Sequence, residues 1–244
     1  MGLQEFRHAN AAAQAGALAG ALARELRAAL AARAAASFVV SGGRSPEEYF
    51  RLLAAMPLDW ARVQVTLADE RWVAPDDPAS NERLVRASLL RGPAQAARLV
   101  PLRNAAATAE AGAAASWGAG SAMPRPFDAV VLGMGDDGHT ASLFPCSAQL
   151  AAGLNPAAAP AALAVHPATA PHARMSLNRT ALLGARRLFL QISGAAKWAV
   201  YQRALQPGPE AELPIRAFLR QAAVPMEVHW CPAPGEPATG GPAA

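Results

Sequence analysis

Short apolar runs alternate along the chain with longer segments in which apolar residues recur at helical spacing. The runs lack polar–apolar alternation and are typical of strands buried on both faces of a parallel sheet. This order predicts a Rossmann-like α/β fold with a mostly parallel sheet and helices on both faces. Strands are predicted at residues 38–40, 63–67, 129–132, 163–165, 188–192 and 226–229, and helices at 11–35, 46–55, 82–90, 105–117, 195–205 and 214–221.

Length and composition favour a single domain over residues 1–231. The chain has 244 residues, of which 52% are hydrophobic, and this is enough to bury a sizeable core. Residues 232–244 are rich in Pro, Gly and Ala and are predicted to form a disordered tail. The stretch 151–160 is predicted to be a surface loop.

The hydrophobic segments do not reach the length that a membrane span requires. Arg24, Arg27 and Arg33 interrupt the N-terminal apolar segment, whereas a spanning helix needs about 20 apolar residues. The N-terminus also lacks the pattern of a secretory signal. We therefore expect a cytoplasmic protein without a membrane partner.

The distribution of charge argues against a nucleic-acid partner and for a small anion. The formal charge is +4, but the arginines are scattered rather than gathered in a basic patch with aromatic residues. No Asp or Glu lies between Asp137 and Glu210, so an anion would be tolerated there, unless the gap is a compositional accident. Cys146 and Cys231 are too few for a disulfide framework or a zinc site. The oligomeric state is left open.

Ligands of open parallel sheets bind beyond the carboxyl ends of the strands, and the first such loop here is glycine-rich. It contains Ser41, Gly42 and Gly43 and leads into a helix for which Ser45 and Glu48 are expected to form a capping box. Two glycines before a helix N-terminus let the backbone approach a phosphate closely. Phosphate binding is therefore predicted, with a plain tight turn as the alternative.

The second loop carries Asp69, Glu70 and Arg71, with Asn81 further along the chain. Adjacent acidic and basic groups at a strand end can pair with each other or can orient a polar substrate. The sequence leaves both possibilities open.

The third loop has the glycine spacing of a dinucleotide-binding turn and ends at a histidine. Gly133, Gly135 and Gly138 satisfy that spacing, so an NAD-binding oxidoreductase is one candidate. Against it, Pro145 leaves little room for the helix that should follow, and no acidic residue lies about 20 residues later to hold a ribose. His139 is the better candidate for chemistry, because an imidazole can accept a proton at neutral pH.

Lys197 is the only lysine in a chain that otherwise uses arginine. It lies at the start of a predicted helix, where a compact ammonium group would suit a phosphate. Chance and a Schiff-base role are the alternatives.

Together these segments resemble the 6-phosphogluconolactonase family. The resemblance spans residues 37–230, and its most specific piece is residues 133–145, Gly-Met-Gly-Asp-Asp-Gly-His-Thr-Ala-Ser-Leu-Phe-Pro. It implies a fold like those of ribose-5-phosphate isomerase and glucosamine-6-phosphate deaminase, no metal or organic cofactor, and a place in the oxidative pentose phosphate pathway. The implied reaction is hydrolysis of the sugar-phosphate lactone 6-phospho-D-glucono-1,5-lactone to 6-phospho-D-gluconate. The other matching pieces are residues 41–43 with Pro46, 69–73 with 80–81, 174–177 and 194–197.

The resemblance also implies roles for the matching residues. His139 would activate a water molecule, and Asp137 or Asp69 would orient it or bind hydroxyls of the sugar. Arg71 would lie against the phosphate or the developing negative charge. The residues expected to bind the substrate or its phosphate are Ser41, Gly42, Gly43, Asp69, Asn81, Arg174 and Lys197.

Besides the NAD-binding oxidoreductase, a related enzyme and a non-catalytic protein remain as alternatives. Glucosamine-6-phosphate deaminases resemble this chain up to the Asp-Gly-His loop, but continue Ile-Ala-Phe-Asn-Glu-Pro, with a glutamate that assists proton transfer. Here Phe144 stands in this region, and it cannot move a proton. A non-catalytic sensor would bind 6-phosphogluconate without turning over a substrate.

Overall fold

A computed structural model describes residues 2–43, 45–168 and 170–236, and over these residues it confirms the predicted α/β architecture. The strands are β1 Leu3–Arg7, β2 Ala36–Val40, β3 Val63–Leu67, β4 Asp69–Arg71, β5 Arg98–Val100, β6 Ala129–Gly133, β7 Ala162–Val165, β8 Arg174–Leu177, β9 Leu188–Ser193 and β10 Met226–Cys231. The helices are α1 Ala11–Ala32, α2 Glu47–Ala54, α3 Asn81–Ser88, α4 Ala109–Ser121, α5 Leu150–Leu154, α6 Arg179–Leu183, α7 Ala195–Leu205 and α8 Arg216–Leu219. Short 3₁₀ helices, Trp60–Arg62 and Gly92–Ala96, precede β3 and β5.

A seven-stranded parallel sheet forms the centre of the molecule, in the order β1-β10-β9-β6-β2-β3-β5. The chain moves toward β5 in its first half and back toward β1 in its second half. Because parallel connections are right-handed, the helices that lead toward β5 lie on one face of the sheet and those that lead back toward β1 lie on the other. The two directions diverge between the neighbouring strands β2 and β6. Ligands of open α/β sheets bind at such a switch point.

Helix α1 shows how the spacing of apolar residues builds the core. Leu18, Leu22 and Leu26 are fully buried and lie on one face of the helix, one turn apart. Each contributes about 1.5–3 kcal/mol relative to an exposed position. The helix begins after Asn10, whose side chain accepts a hydrogen bond of 2.9 Å from the backbone N–H of Ala13.

A separate antiparallel sheet, in the order β4-β8-β7, corrects two predictions. The strand predicted at residues 163–165 belongs to this sheet and not to the parallel one. The segment Asp69–Arg71, expected as a loop, is a strand that pairs with β8. Local patterns miss this sheet because each strand depends on a partner that is remote in the chain. Its register sets Arg71 opposite Arg174, beside the end of β3.

The prediction also omits edge strands and short helices. Most side chains of β1 are exposed, so the strand lacks the apolar run that marks a buried strand. The predicted loop at residues 151–160 is wrong at its start, because Leu150 and Leu154 lie one turn apart on α5 and are both buried.

Residues 232–236 leave β10 and return to α7. In the predicted tail, residues 237–244 lie outside the described residues, whereas Glu236 accepts a hydrogen bond of 3.0 Å from the backbone N–H of Ala195. Among the described helices, none is both long and apolar enough to cross a membrane.

Candidate active site

A cleft of about 730 Å³ lies at the switch point, beyond the carboxyl ends of β2, β6 and β9. The loops after these strands border it, together with the small antiparallel sheet and the first turn of α7. The predicted site residues on its wall are Ser41, Gly42, Gly43, Asp69, Arg71, Asn81, His139, Arg174 and Lys197. Asp137 is outside this wall but contacts His139.

The predicted capping box at the start of α2 is not formed. The helix begins at Glu47 without a side-chain cap, so the prediction for Ser45 and Glu48 is wrong. Pro46 already has helical backbone angles, and the Ser45 carbonyl instead accepts a hydrogen bond of 3.1 Å from the Gln191 side chain. Gln191 on β9 therefore holds the turn before α2 in place.

The glycine turn, residues 41–43, depends on close packing. Gly42 approaches Asn81 so closely that a Cβ atom would overlap the side-chain amide, and Gly43 has φ +98°, which favours glycine. The Ser41 hydroxyl donates a hydrogen bond of 2.9 Å to the Val131 carbonyl and ties the turn to β6. That proton is engaged within the protein. The backbone N–H groups of both glycines have no partner among the described residues and are left for an anion.

Glu70 fixes the backbone around Arg71 and Asn81. Its buried carboxylate accepts hydrogen bonds of 2.7 Å from the backbone N–H groups of Arg71, Asn81 and Glu82, and one of 3.0 Å from the Ser80 hydroxyl. Burial raises the pKa of this carboxyl, and the hydrogen bonds oppose the rise. Because Asn81 and Glu82 form the first turn of α3, the carboxylate joins β4 to the positive end of that helix.

His139 is held by Asp137 so that one ring nitrogen is left for chemistry. Its Nδ1 lies 2.6 Å from Asp137 Oδ1, which also accepts the His139 backbone N–H at 3.1 Å. With Nδ1 donating, Nε2 of the neutral ring is an acceptor, and it has no partner among the residues that the structure describes. Gly135 makes room for the pair, since a Cβ atom there would overlap the imidazole. Phe144 packs on the ring with centroids 4.3 Å apart.

Asp69 supports the loop that carries His139 by binding Ser142. Its Oδ2 accepts a hydrogen bond of 2.6 Å from the Ser142 hydroxyl, which lies in the loop that carries His139. Asp69 makes no hydrogen bond to His139 itself. Its Oδ1 has no partner within the described part of the chain, so this oxygen can accept a hydrogen bond from a ligand in the cleft.

Arg71 and Arg174 lie directly opposite each other in the ladder between β4 and β8. Arg174 is 7% exposed, and the Nε groups of both arginines are buried without a hydrogen-bond partner. Burial lowers the pKa of Arg174; the Asp69 charge opposes this and Arg71 adds to it. Neither guanidinium forms a salt bridge with a described carboxylate. Since opposed like charges destabilise a sheet, this arrangement favours a bound anion.

Lys197 lies in the first turn of α7 and borders the cleft. The first N–H of the helix, from Ala195, is already bound by the Glu236 carboxylate. The Lys197 ammonium has no hydrogen bond or salt bridge to a described residue. It is therefore available to an anionic ligand at this helix end.

A family model described as glucosamine-6-phosphate isomerases/6-phosphogluconolactonase matches residues 9–230. The chain belongs to this family. It is 45% identical over 200 residues to a 6-phosphogluconolactonase of Rhizobium meliloti (strain 1021), covering 82% of this chain and 86% of that protein. It is 44% identical over 232 residues to a 6-phosphogluconolactonase of Pseudomonas aeruginosa, covering 95% of each. The crystal structure of a 6-phosphogluconolactonase from Shewanella baltica OS155 matches with a TM-score of 0.89 and 45% identity, over 96% of this chain and 98% of that one.

The glycine-rich loop after β6 does not form a dinucleotide-binding turn, and this agrees with membership of the family. A dinucleotide-binding turn opens directly into a helix, but residues 139–149 contain none, and the next helix is α5. Gly135 instead accommodates the His139 ring, and Gly138 has φ +77° while its carbonyl accepts a hydrogen bond of 3.0 Å from Ile215. The NAD alternative therefore lacks the helix that it requires.

Several residues that line or support the cleft are not among those predicted from the sequence. Gln191 borders it, and the signal was a polar residue inside the otherwise apolar strand β9. Ser142 lies within the most specific motif, but its bond to Asp69 has no local signal. Ala141 borders the cleft with φ +48°, a conformation that only the structure reveals. Among the described residues, no group of three or more His, Cys, Asp or Glu side chains could hold a metal ion.

Proposed function

We propose that this protein hydrolyses 6-phospho-D-glucono-1,5-lactone to 6-phospho-D-gluconate, a step of the oxidative pentose phosphate pathway. The observation that carries the proposal is a histidine base, His139, in the same cleft as the opposed charges of Arg71 and Arg174. Hydrolysis of a phosphorylated lactone requires a base for water and positive charge for two anionic groups. The relatives support the same substrate, because those compared above are each named 6-phosphogluconolactonase.

The two ends of the substrate are proposed to bind at different parts of the cleft. The phosphate would lie on the glycine turn, residues 41–43, with Lys197 supplying a compact positive charge. The sequence prediction grouped Arg174 with the phosphate, but its guanidinium lies 6.0 Å from the Phe144 ring, which packs on His139. This distance favours a role for Arg174 at the lactone carbonyl.

The reaction then needs one base and one region of positive charge. His139 Nε2 takes a proton from water as the water oxygen attacks C1 of the lactone, and the carbonyl oxygen becomes an oxyanion that Arg71 and Arg174 stabilise. The bond between C1 and the ring oxygen breaks, and the imidazolium returns its proton to that oxygen, which becomes the C5 hydroxyl. Asp137 holds the Nδ1–H throughout and stabilises the imidazolium. The carboxylic acid product loses its proton to solvent.

The deaminase alternative demands more proton transfers than the cleft supports. Ring opening and isomerisation need several acid–base groups, whereas the residue packed on His139 is Phe144, which has no proton to transfer. General-base hydrolysis of a lactone needs only one such group and no metal or organic cofactor. Because phosphorylated sugars do not cross membranes unaided, we also propose that the protein acts in the cytoplasm.

The test compares wild type with His139→Ala on freshly prepared 6-phosphogluconolactone, by following 6-phosphogluconate above the spontaneous rate. We expect clear acceleration by wild type and a kcat lower by about 10²–10⁴-fold in the variant. His166→Ala is the matched control, because His166 is exposed and bound to Glu110 rather than placed in the cleft. A wild-type protein that gives no acceleration would exclude the proposed reaction and make glucosamine 6-phosphate the next substrate to test. An unchanged kcat in His139→Ala would exclude the assigned base.

A further inference from the structure

Gln191 is a buried amide on the cleft wall with one polar atom left for a ligand. The residue is 7% exposed and lies on β9, beside the start of α7. Its Nε2 donates to the Ser45 carbonyl and to Gln14 Oε1, both at 3.1 Å, so both amide protons are engaged. Its Oε1 has no hydrogen-bond partner among the described residues.

Gln14 on α1 and the Ser45 carbonyl each fix which end of this amide faces the cleft. Gln14 is buried, and its Nε2 donates to the carbonyls of Ile192 and His229, both at 2.8 Å. Because these bonds use both of its amide protons, Gln14 can offer only its oxygen to Gln191. A flipped Gln191 amide would set its oxygen against Gln14 Oε1 and against the Ser45 carbonyl. The hydrogen-bond network therefore leaves the Gln191 oxygen, an acceptor, as the group available to a ligand.

An acceptor at this position does not suit the phosphate itself. The groups proposed to hold the phosphate, the turn N–H groups and Lys197, are donors, whereas a phosphate dianion bound as an ester has no proton to donate. The hydroxyls of the sugar are the donors that such a substrate offers.

We propose that Gln191 Oε1 accepts a hydrogen bond from a sugar hydroxyl of the substrate and thereby selects a polyhydroxylated phosphate ester over a bare anion. The identity of that substrate rests on the proposed function. A site built to bind a hydroxyl discriminates against ligands that lack it, because its own buried polar atom is then left unpaired.

The decisive experiment is titration calorimetry of Gln191→Leu with 6-phosphogluconate and with sulfate, which carries charge but no hydroxyl. We expect the variant to bind 6-phosphogluconate about 10-fold more weakly than wild type and to bind sulfate with unchanged affinity. In the lactone assay, KM should rise by a similar factor while kcat stays close to wild type, since the contact exists in ground and transition state alike.

Gln14→Leu is the matched control, because it breaks the same buried amide pair from the other side. The Ser45 carbonyl still accepts from Gln191 Nε2 in this variant and keeps the Gln191 oxygen toward the cleft. Both variants should unfold at a lower temperature than wild type, since each leaves buried polar groups unpaired. Only Gln191→Leu should lose the preference for 6-phosphogluconate over sulfate.

Equal weakening of both ligands in Gln191→Leu, or the same loss of preference in Gln14→Leu, would overturn the hydroxyl contact and leave the amide as a support of the glycine turn. A wild-type protein that does not prefer 6-phosphogluconate to sulfate would overturn it as well. If the preference depends on Gln191 as expected but wild type hydrolyses no lactone, the contact stands and the proposed reaction fails.

Discussion

Replacing Gly42 by alanine adds one methyl group where the backbone of the cleft approaches a side chain most closely. A Cβ atom there would overlap the side-chain carbonyl of Asn81, and even the amide nitrogen would lie only 2.7 Å away. Asn81 cannot withdraw freely, because Glu70 binds its backbone N–H at 2.7 Å and its Nδ2 donates to the Asp69 carbonyl at 2.9 Å. Either the turn or the amide must therefore leave its place.

The cost of Gly42→Ala follows from these contacts. Displacing the amide of Asn81 breaks one neutral hydrogen bond, which contributes about 1 kcal/mol. Overpacking a dense site costs about 1–3 kcal/mol more. We therefore expect the free energy of unfolding to fall by about 2–4 kcal/mol, a large part of the roughly 5–15 kcal/mol that is typical of a domain. The lactone KM should rise as well, because both displaced groups border the cleft.

Urea unfolding of wild type, Gly42→Ala and Gly133→Ala measures this cost. Gly133 borders the same cleft, but a Cβ atom there would have no neighbour within 4 Å, and its φ is not positive. The free energy of unfolding of Gly133→Ala should stay within about 1 kcal/mol of that of wild type. Wild-type stability in Gly42→Ala, or an equal loss in both variants, would refute the close approach between the turn and Asn81.

Two further predictions concern carboxylates that hold histidines. Asp137→Asn replaces the carboxylate at Nδ1 of His139 with a neutral amide, which no longer stabilises the imidazolium by its charge. We therefore expect kcat to fall about 10- to 100-fold in initial-rate assays with little change in KM; a rise in KM alone would indicate a lost substrate contact instead. Glu227 lies 3.3 Å from His229 Nε2, and this hydrogen bond, aided by nearby positive charge, lowers its pKa below the ordinary value of 4.5. The ionised Glu227 therefore stabilises the folded protein above pH 4.5, and this contribution is lost as the pH falls through the lower pKa of the folded state. Glu227→Gln should be less stable than wild type at neutral pH. The difference between their thermal unfolding temperatures should disappear in acid. A difference that does not change with pH would contradict this linkage.

The sequence predicts the central strands well because of where they lie. Strands β2, β3, β6, β9 and β10 are largely buried on both faces, and most of their residues are therefore apolar. The edge strand β1 has mostly exposed side chains, so nothing in its own composition distinguishes it from a loop. Strand β8 begins with a buried arginine, and its strand conformation depends on pairing with β4 and β7.

The sequence also predicts some parts of the candidate site and not others. The glycine turn and the loop around His139 are each a continuous segment of the chain. Their residue types, at fixed spacing, indicate phosphate binding and acid–base chemistry. The contacts that hold them are not contiguous: Ser142 bonds to Asp69, and Gln14 bonds to Gln191 from another helix. No local pattern can predict such pairs, because each residue alone is an ordinary polar side chain.

The run Asp69-Glu70-Arg71 shows how the structure decides between two interpretations that the sequence leaves open. Neighbouring residues on a strand point to opposite faces, so Glu70 faces away from Asp69 and Arg71. Its carboxylate binds the backbone of β4 and the first turn of α3, and Asp69 binds Ser142. Neither acid forms a salt bridge with Arg71 in the described structure, so the pairing that would make this run a plain ion-pair cluster is missing. The positive charge of Arg71, opposite Arg174, is therefore left for a ligand. Asp69 and Glu70 act by holding the loops around Arg71 in place.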